Sequence, residues 1–178
     1  AVPGTHMVQA YVEPPFLIHG VKFDMRIWVL VARGRALVFK EGVLRLASEP
    51  YRADGFGEDG ALRHVHLTNH CLQKDSERFG AVVPGNEMFY DQFAEYLGEH
   101  HPEVDLDRDI LSQIRACVAD VVKRSYGQLL SRAGPHADEG AADAPPSSAL
   151  PPGSEAFQLY GFDFLVSRDL RVWLLEVN

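Results

Sequence analysis

The chain has 178 residues, 46% of them hydrophobic and 24% charged, with a net charge of −8, which suits one globular domain with a real core and excludes a wholly disordered chain. No apolar run reaches the ~18 residues of a membrane helix. The opening AVPGTHM has neither region of a signal peptide, and the two cysteines, Cys71 and Cys117, do not make a disulfide scaffold, so the expectation is a cytoplasmic protein with reduced thiols.

In chain order, residues 8–12, VQAYV, read as a short strand stopped by Pro14 and Pro15. Residues 21–32, VKFDMRIWVLVA, form the clearest strand. Gly34 turns the chain into ALVFK, and Gly42 breaks it before VLRLASEPY. Residues 53–63 are a Gly/Asp-rich loop. Residues 86–100 read as a helix with Met88, Phe89, Phe93, Tyr96 and Leu97 on one stripe. A longer helix spans 108–133, with Asp107 as N-cap and Ile110, Leu111, Ile114, Val118, Val121 and Val122 inward. Residues 134–156 are rich in Pro, Ala, Gly, Ser and acids; they read as a low-complexity insertion. A hairpin of strands 157–166 and 171–177 closes the chain, with SRDL as its turn. Strands, then helices, then a hairpin predict an α+β fold with a mostly antiparallel sheet, in a single domain over 1–178.

Charge is uneven along this order. The first 52 residues carry seven Lys/Arg against four Asp/Glu. A basic third in an acidic chain points to an anionic ligand and argues against non-specific nucleic-acid binding. Lys22, Asp24 and Arg26 alternate on one face of their strand, which turns apolar at Trp28 and Leu30. A solvated, mutually paired face explains the charges taken alone; the change to apolar character suggests the edge of a cleft. Arg45 sits between leucines and calls for an acid, Glu41 or Glu49, or for a substrate carboxylate. The stretch HVHLTNHC concentrates His64, His66, His70 and Cys71 but has no standard zinc spacing. Its Thr68 and Asn69 suit a binding loop.

In the hairpin, an even-length turn puts Asp163 opposite Leu174, on one sheet face with Glu176 and Asn178, and puts Gly161 opposite Glu176. An odd-length turn breaks that alignment. Two carboxylates and an amide on one face outline a hard-cation site. A half-buried hairpin with Asp163 and Glu176 at solvated ends is the plainer alternative. Walker, dinucleotide-binding and nucleophile-elbow motifs are absent from the sequence.

The segments VQAYVEPPFLI, KFDMRIWVLV, FKEGVLRLASEPY, HLTNHCLQK, GNEMFYDQF and FQLYGFDFLVSRDLRVWLLEVN together resemble the tubulin tyrosine ligase family, whose core is ATP-grasp-like. The resemblance implies an ATP-dependent ligase that activates a carboxylate as an acyl phosphate and joins it to an amine. EGVLRLASEPY and GNEMFYDQF resemble tyrosine ligase itself, implying transfer of L-tyrosine to the C-terminal glutamate of α-tubulin. A polyglutamylase or glycylase of the same family, or a non-catalytic tubulin-binding module, is the alternative. It implies ATP, Mg²⁺ and K⁺ as cofactors, a cytoskeleton-associated monomer, and neither nucleic acid nor membrane as partner. Carried over by position, Asp163, Glu176 and Asn178 are similar to the family's metal ligands. Lys22 and Asp24 match ATP contacts, and Gln9, Ala10, Tyr11 and Val12 match the adenine segment. Arg26 and Arg45 match positions for anionic substrate groups, so that Lys22, Arg26 and Arg45 form the catalytic set. Thr68 and Asn69 match a nucleotide and substrate loop. Ala10 stands where the family has Lys. The family continues past the residue matching Asn178 and has an earlier portion, so the expectation is a catalytic-domain fragment that is inactive alone.

Overall fold

The computed structural model describes residues 9–32, 35–53, 62–131 and 157–178. Most of the Gly/Asp-rich loop and the whole insertion 134–156 lie outside them. The strands are β1 (Leu17–Ile18), β2 (Val21–Ala32), β3 (Arg35–Leu46), β4 (Glu87–Met88), β5 (Phe157–Val166) and β6 (Val172–Val177). The helices are α1 (Arg63–His66), α2 (His70–Gln73), α3 (Tyr90–His100) and α4 (Ser112–Ser131). The sheet runs β4-β3-β2-β5-β6, with β1 on the start of β2, and every pairing is antiparallel. This is the expected α+β arrangement, with the ATP-grasp-like pattern of an antiparallel sheet flanked by helices.

Alternation on β2 divides the sheet into two faces. Val21, Phe23, Met25, Ile27, Val29 and Val31 are buried on one face. Phe162 and Phe164 of β5 join them, as do Phe93 and Leu97 of α3 and Ile114, Val118 and Val122 of α4. The other face carries Lys22, Asp24 and Arg26, then Trp28 and Leu30. Around this apolar end Leu37, Phe39, Phe157 and Leu159 are exposed.

Several expectations change. VQAYV makes no strand over its described residues; the chain meets the hairpin only beyond it, where Pro15 bridges to Ser167. Gly42 does not break β3. The strand continues through it, with a bulge where two extra residues face Trp28. The missing Cβ of Gly42 leaves the space that the Tyr90 ring fills. Helix α3 starts at Tyr90, because Met88 is held in β4 against Leu44. Glu41 accepts from the amides of Tyr90 and Gly42 at 3.1 and 3.0 Å, satisfying a donor at the start of α3. The long helix opens with a π-helical turn, Leu106–Leu111, capped by Asp105 and not by Asp107; the Asp105 carboxylate accepts from the Arg108 amide at 2.7 Å.

In the hairpin the turn has odd length, since Val166 pairs with Val172. Phe164, not Asp163, then lies opposite Leu174, on the core side. A bulge at Leu175 restores the phase, so Asp163 pairs directly with Glu176. Gly161 and Asn178 exchange backbone hydrogen bonds of 2.9 and 2.8 Å. The two irregularities together return Asp163, Glu176 and Asn178 to one face, as expected, although not by the expected register.

Gly42→Ala is expected to destabilise the fold by about 1–3 kcal/mol, through overpacking against Tyr90 and Ile27. Gly98→Ala, in open space on α3, is expected to stabilise it by about 0.5–1 kcal/mol. Urea midpoints of the two variants should move in opposite directions.

Candidate functional site

Three strands bring the predicted charged residues together. Asp24 pairs in register with Arg45, and Arg26 with Asp163. The Asp163 carboxylate accepts from Arg26 Nε through Oδ1; through Oδ2 it accepts from Arg26 at 2.8 Å and from Arg45 at 2.9 Å. Arg45 also donates to both oxygens of Asp24, at 3.1 Å from its Nε. The acid that Arg45 needs is therefore Asp24 with Asp163, not Glu41 or Glu49. Both carboxylates are buried, while the guanidiniums of Arg26 and Arg45 keep 21% and 14% side-chain exposure. The cluster thus opens to solvent through its cations.

Electrostatics follow from that geometry. Burial by itself would raise the Asp163 carboxyl; the hydrogen bonds and charges of Arg26 and Arg45 outweigh it and hold it below the usual range. Burial would likewise lower Arg45, but its contacts with Asp24 and Asp163 hold it above the ordinary guanidinium value. Gly161 makes this possible, because a Cβ there would stand 3.0 Å from Arg26 Cδ and 3.1 Å from one of its terminal nitrogens.

Lys22 is buried at the end of this face. Its ammonium donates to the Tyr11 hydroxyl at 2.9 Å and to the His66 carbonyl at 2.8 Å. Burial pushes it down to about 8, with Asp24 opposing. Thr68, buried, and Asn69, exposed, follow between α1 and α2. Gln73 anchors this segment: it is fully buried, accepts from the Ser48 amide at 2.8 Å and donates to the Leu67 carbonyl. The histidines do not converge: His66 turns to Tyr11, and His70 lies 3.1 Å from Glu87. Among the described residues no three His, Cys, Asp or Glu side chains cluster as a metal site.

The hairpin supplies the other predicted set. Asp163 and Glu176 face each other across the ladder, where Cα atoms of a hydrogen-bonded pair lie about 5.5 Å apart. Asn178 donates its amide to Glu176 Oε1 at 3.0 Å. Glu176 and Asn178 are exposed. Glu176 and Asn178 offer solvent-open oxygens of the type a hard cation takes, while both Asp163 oxygens accept from Arg26 and Arg45. Gln9, Ala10, Tyr11 and Val12 line a cleft of about 860 Å³, together with Trp173 and Leu175 of β6. Trp173 was not among the expected site residues. Its indole donates to Ser167 Oγ at 3.0 Å and carries the Arg171 guanidinium 4.1 Å from its ring centroid.

The sequence profile of the Tubulin-tyrosine ligase family matches residues 3–178. The chain belongs to that family. Among its relatives, tubulin polyglutamylase TTLL7 of Mus musculus is 33% identical over 180 residues, covering 97% of this chain and 18% of the relative. Tubulin polyglutamylase TTLL6 of Mus musculus is 33% identical over 185 residues, covering 99% and 20%. The probable tubulin polyglutamylase TTLL9 of Bos taurus is 27% identical over 183 residues, covering 97% and 32%. The chain thus spans about a fifth of the length of the first two relatives. These names overturn the tyrosine-ligase expectation, with its L-tyrosine substrate: the motifs EGVLRLASEPY and GNEMFYDQF did not separate the subfamilies. They favour the alternative stated beside it.

Asp163→Asn is expected to cost about 3 kcal/mol at pH 7, because it leaves two guanidiniums short of a charge partner. The wild-type Asp163 value is depressed on folding, so its contribution is full above the unfolded value near 4 and is lost as pH falls through the folded value. Urea titrations should show the gap between variant and wild type closing in acid below about pH 4.

Proposed function

We propose that this chain forms the nucleotide- and metal-handling face of an ATP-dependent ligase that adds glutamate to tubulin. The observation that carries the reading is one sheet face on which Lys22, Arg26 and Arg45 stand beside Asp163, Glu176 and Asn178. Relatives named tubulin polyglutamylases, matched over 97–99% of the chain, support the choice of glutamate.

The chemistry asks for this arrangement. Joining a carboxylate to an amine needs the carboxylate activated by ATP, so phosphate charge must be offset while it moves. Lys22 provides a point charge for phosphate, with two of its three N–H groups already held by Tyr11 and His66. Arg26 and Arg45 provide planar forks suited to carboxylates of glutamate or of an acidic tubulin tail. Asp163 and Asp24 hold those forks in place. Asp163, Glu176 and Asn178 would hold Mg²⁺, which when bound offsets phosphate charge. The cleft between residues 9–12 and β6 would take the base, and Thr68 and Asn69 would approach nucleotide and substrate. In this reading the partner is tubulin, and the protein works at the cytoskeleton; no described helix is long and apolar enough to cross a membrane.

The test is mass spectrometry of tubulin after incubation with the full-length protein, Mg-ATP and, separately, glutamate, glycine or tyrosine. Glutamyl additions are expected, and additions of glycine or tyrosine alone would overturn the reading. Glu176→Gln should lower the rate by about 10²–10³ while leaving the melting curve in place.

A second expectation concerns pH. The Lys22 value is about 8, below that of a free lysine, so the ammonium is charged at pH 7 and loses its proton as pH rises through 8. Mg-ATP affinity should fall about tenfold between pH 7 and 9. Lys22→Arg stays charged and should flatten the curve. Calorimetric titrations at several pH values read both.

A further inference from the structure

The scheme above uses Tyr11 only as a hydrogen-bond partner of Lys22 and a cleft-lining residue, and leaves the His66 side chain out, yet the two together surround its lysine. The Tyr11 hydroxyl lies 2.9 Å from Lys22 Nζ and 2.9 Å from His66 Nδ1. An ammonium only donates, so the phenol oxygen accepts from Lys22. The phenol proton then points to Nδ1, which places the imidazole in the Nε2–H tautomer. The ring contacts agree. Tyr11 meets His66 edge-on with centroids 5.6 Å apart, and Lys22 Nζ stands 4.7 Å from the Tyr11 centroid. Tyr51 closes the other side: it meets His66 edge-on at 5.6 Å and donates to Glu13 at 2.7 Å.

This cluster does a second thing. Residues 9–13 belong to no strand, and a cleft-lining segment without a ladder needs other anchors. Tyr11 joins that segment to β2 through Lys22 and to α1 through His66. Tyr51 and Glu13 add a tie two residues further on.

We propose that Tyr11, oriented by His66, is a positioning residue that couples the Lys22 ammonium to the 9–13 wall of the cleft. The charge that meets phosphate and the segment that meets the base are then set by one hydrogen-bonded unit. The functional meaning rests on reading Lys22 and residues 9–12 as nucleotide contacts; the coupling itself does not.

Coupling is reciprocal, so it can be read from both ends without nucleotide. In the full-length protein, Lys22 reactivity is measured by acetic anhydride labelling at pH 7 with mass spectrometry. The wall is read by hydrogen exchange of peptides covering residues 9–13. Tyr11→Phe keeps the ring and removes the acceptor. It should raise Lys22 labelling about three- to tenfold, because the charged form loses a hydrogen bond. Lys22→Met should speed exchange in 9–13 by a similar factor. His66→Leu should behave like Tyr11→Phe. His66→Asn, which returns an acceptor near the Nδ1 position, should bring labelling back to within about twofold of wild type. Unchanged labelling in Tyr11→Phe, or unchanged exchange in Lys22→Met, overturns the proposal. If both responses occur but the wild type fails to bind Mg-ATP, the coupling is supported and the nucleotide reading is what falls.

Discussion

Four charged side chains at the centre of the sheet organise this molecule. Asp24, Arg26, Arg45 and Asp163 come from three neighbouring strands and bond one another across the register. Taking charges out of water costs several kcal/mol per ion, and an apolar replacement of equal volume often does as well or better for stability. A network of this kind is therefore poorly explained as a device for holding strands together. Under the proposed function it presents guanidiniums to a ligand, with carboxylates beneath to orient them. Gly161 belongs to the same arrangement, since the Arg26 side chain occupies the space a methyl group would take.

The rest of the fold serves that face by covering the other one. Helices α3 and α4 pack on the core side, where Phe23, Phe93, Phe162 and Phe164 are fully buried. Along β2 the uncovered side runs from Lys22 to Leu30, passing from charged to apolar within a few residues. Phe39 and Phe157 at the apolar end are 57% and 69% exposed. One strand thus offers a polar half and a greasy half on a single surface. The polar half is tied by ion pairs, while the apolar half keeps Leu37 and Leu159 exposed as well.

Much of this was legible in the sequence, and the gaps have physical causes. β2 and β5 could be read to the residue, because long alternating runs of β-branched and aromatic side chains leave little choice. The shared face of Lys22, Asp24 and Arg26 followed from period two alone. Partner choice did not, because it depends on which strands become neighbours: Arg45 looked to Glu41 and Glu49 nearby and found Asp163, 118 residues away. VQAYV has the composition of a strand, but pairing needs a partner strand laid alongside, and a cleft separates it from β6. Asp105 and Asp107 are equally good caps on paper, and the π-helical turn chooses the first. His66 drew notice only as a poor zinc ligand; nothing local tells that its ring would accept from a tyrosine 55 residues upstream. The subfamily was misread too, since EGVLRLASEPY and GNEMFYDQF did not separate tyrosine ligase from relatives named polyglutamylases.

The bulge at Leu175 has a further consequence. Leu174 packs inward against the core, while Glu176, two positions later, stands on the outer surface opposite Asp163. In an unbroken strand those two positions would share a side. The single extra residue is thus a phase shifter, and chain length between Val166 and Glu176 carries more meaning than most of the side chains there. Substitutions at the solvent-facing turn leave the parity intact. One insertion or deletion in the strand reverses it, turning a carboxylate into the hydrophobic interior and a leucine out to water. Across related proteins, this hairpin should therefore vary in spelling far more freely than in count.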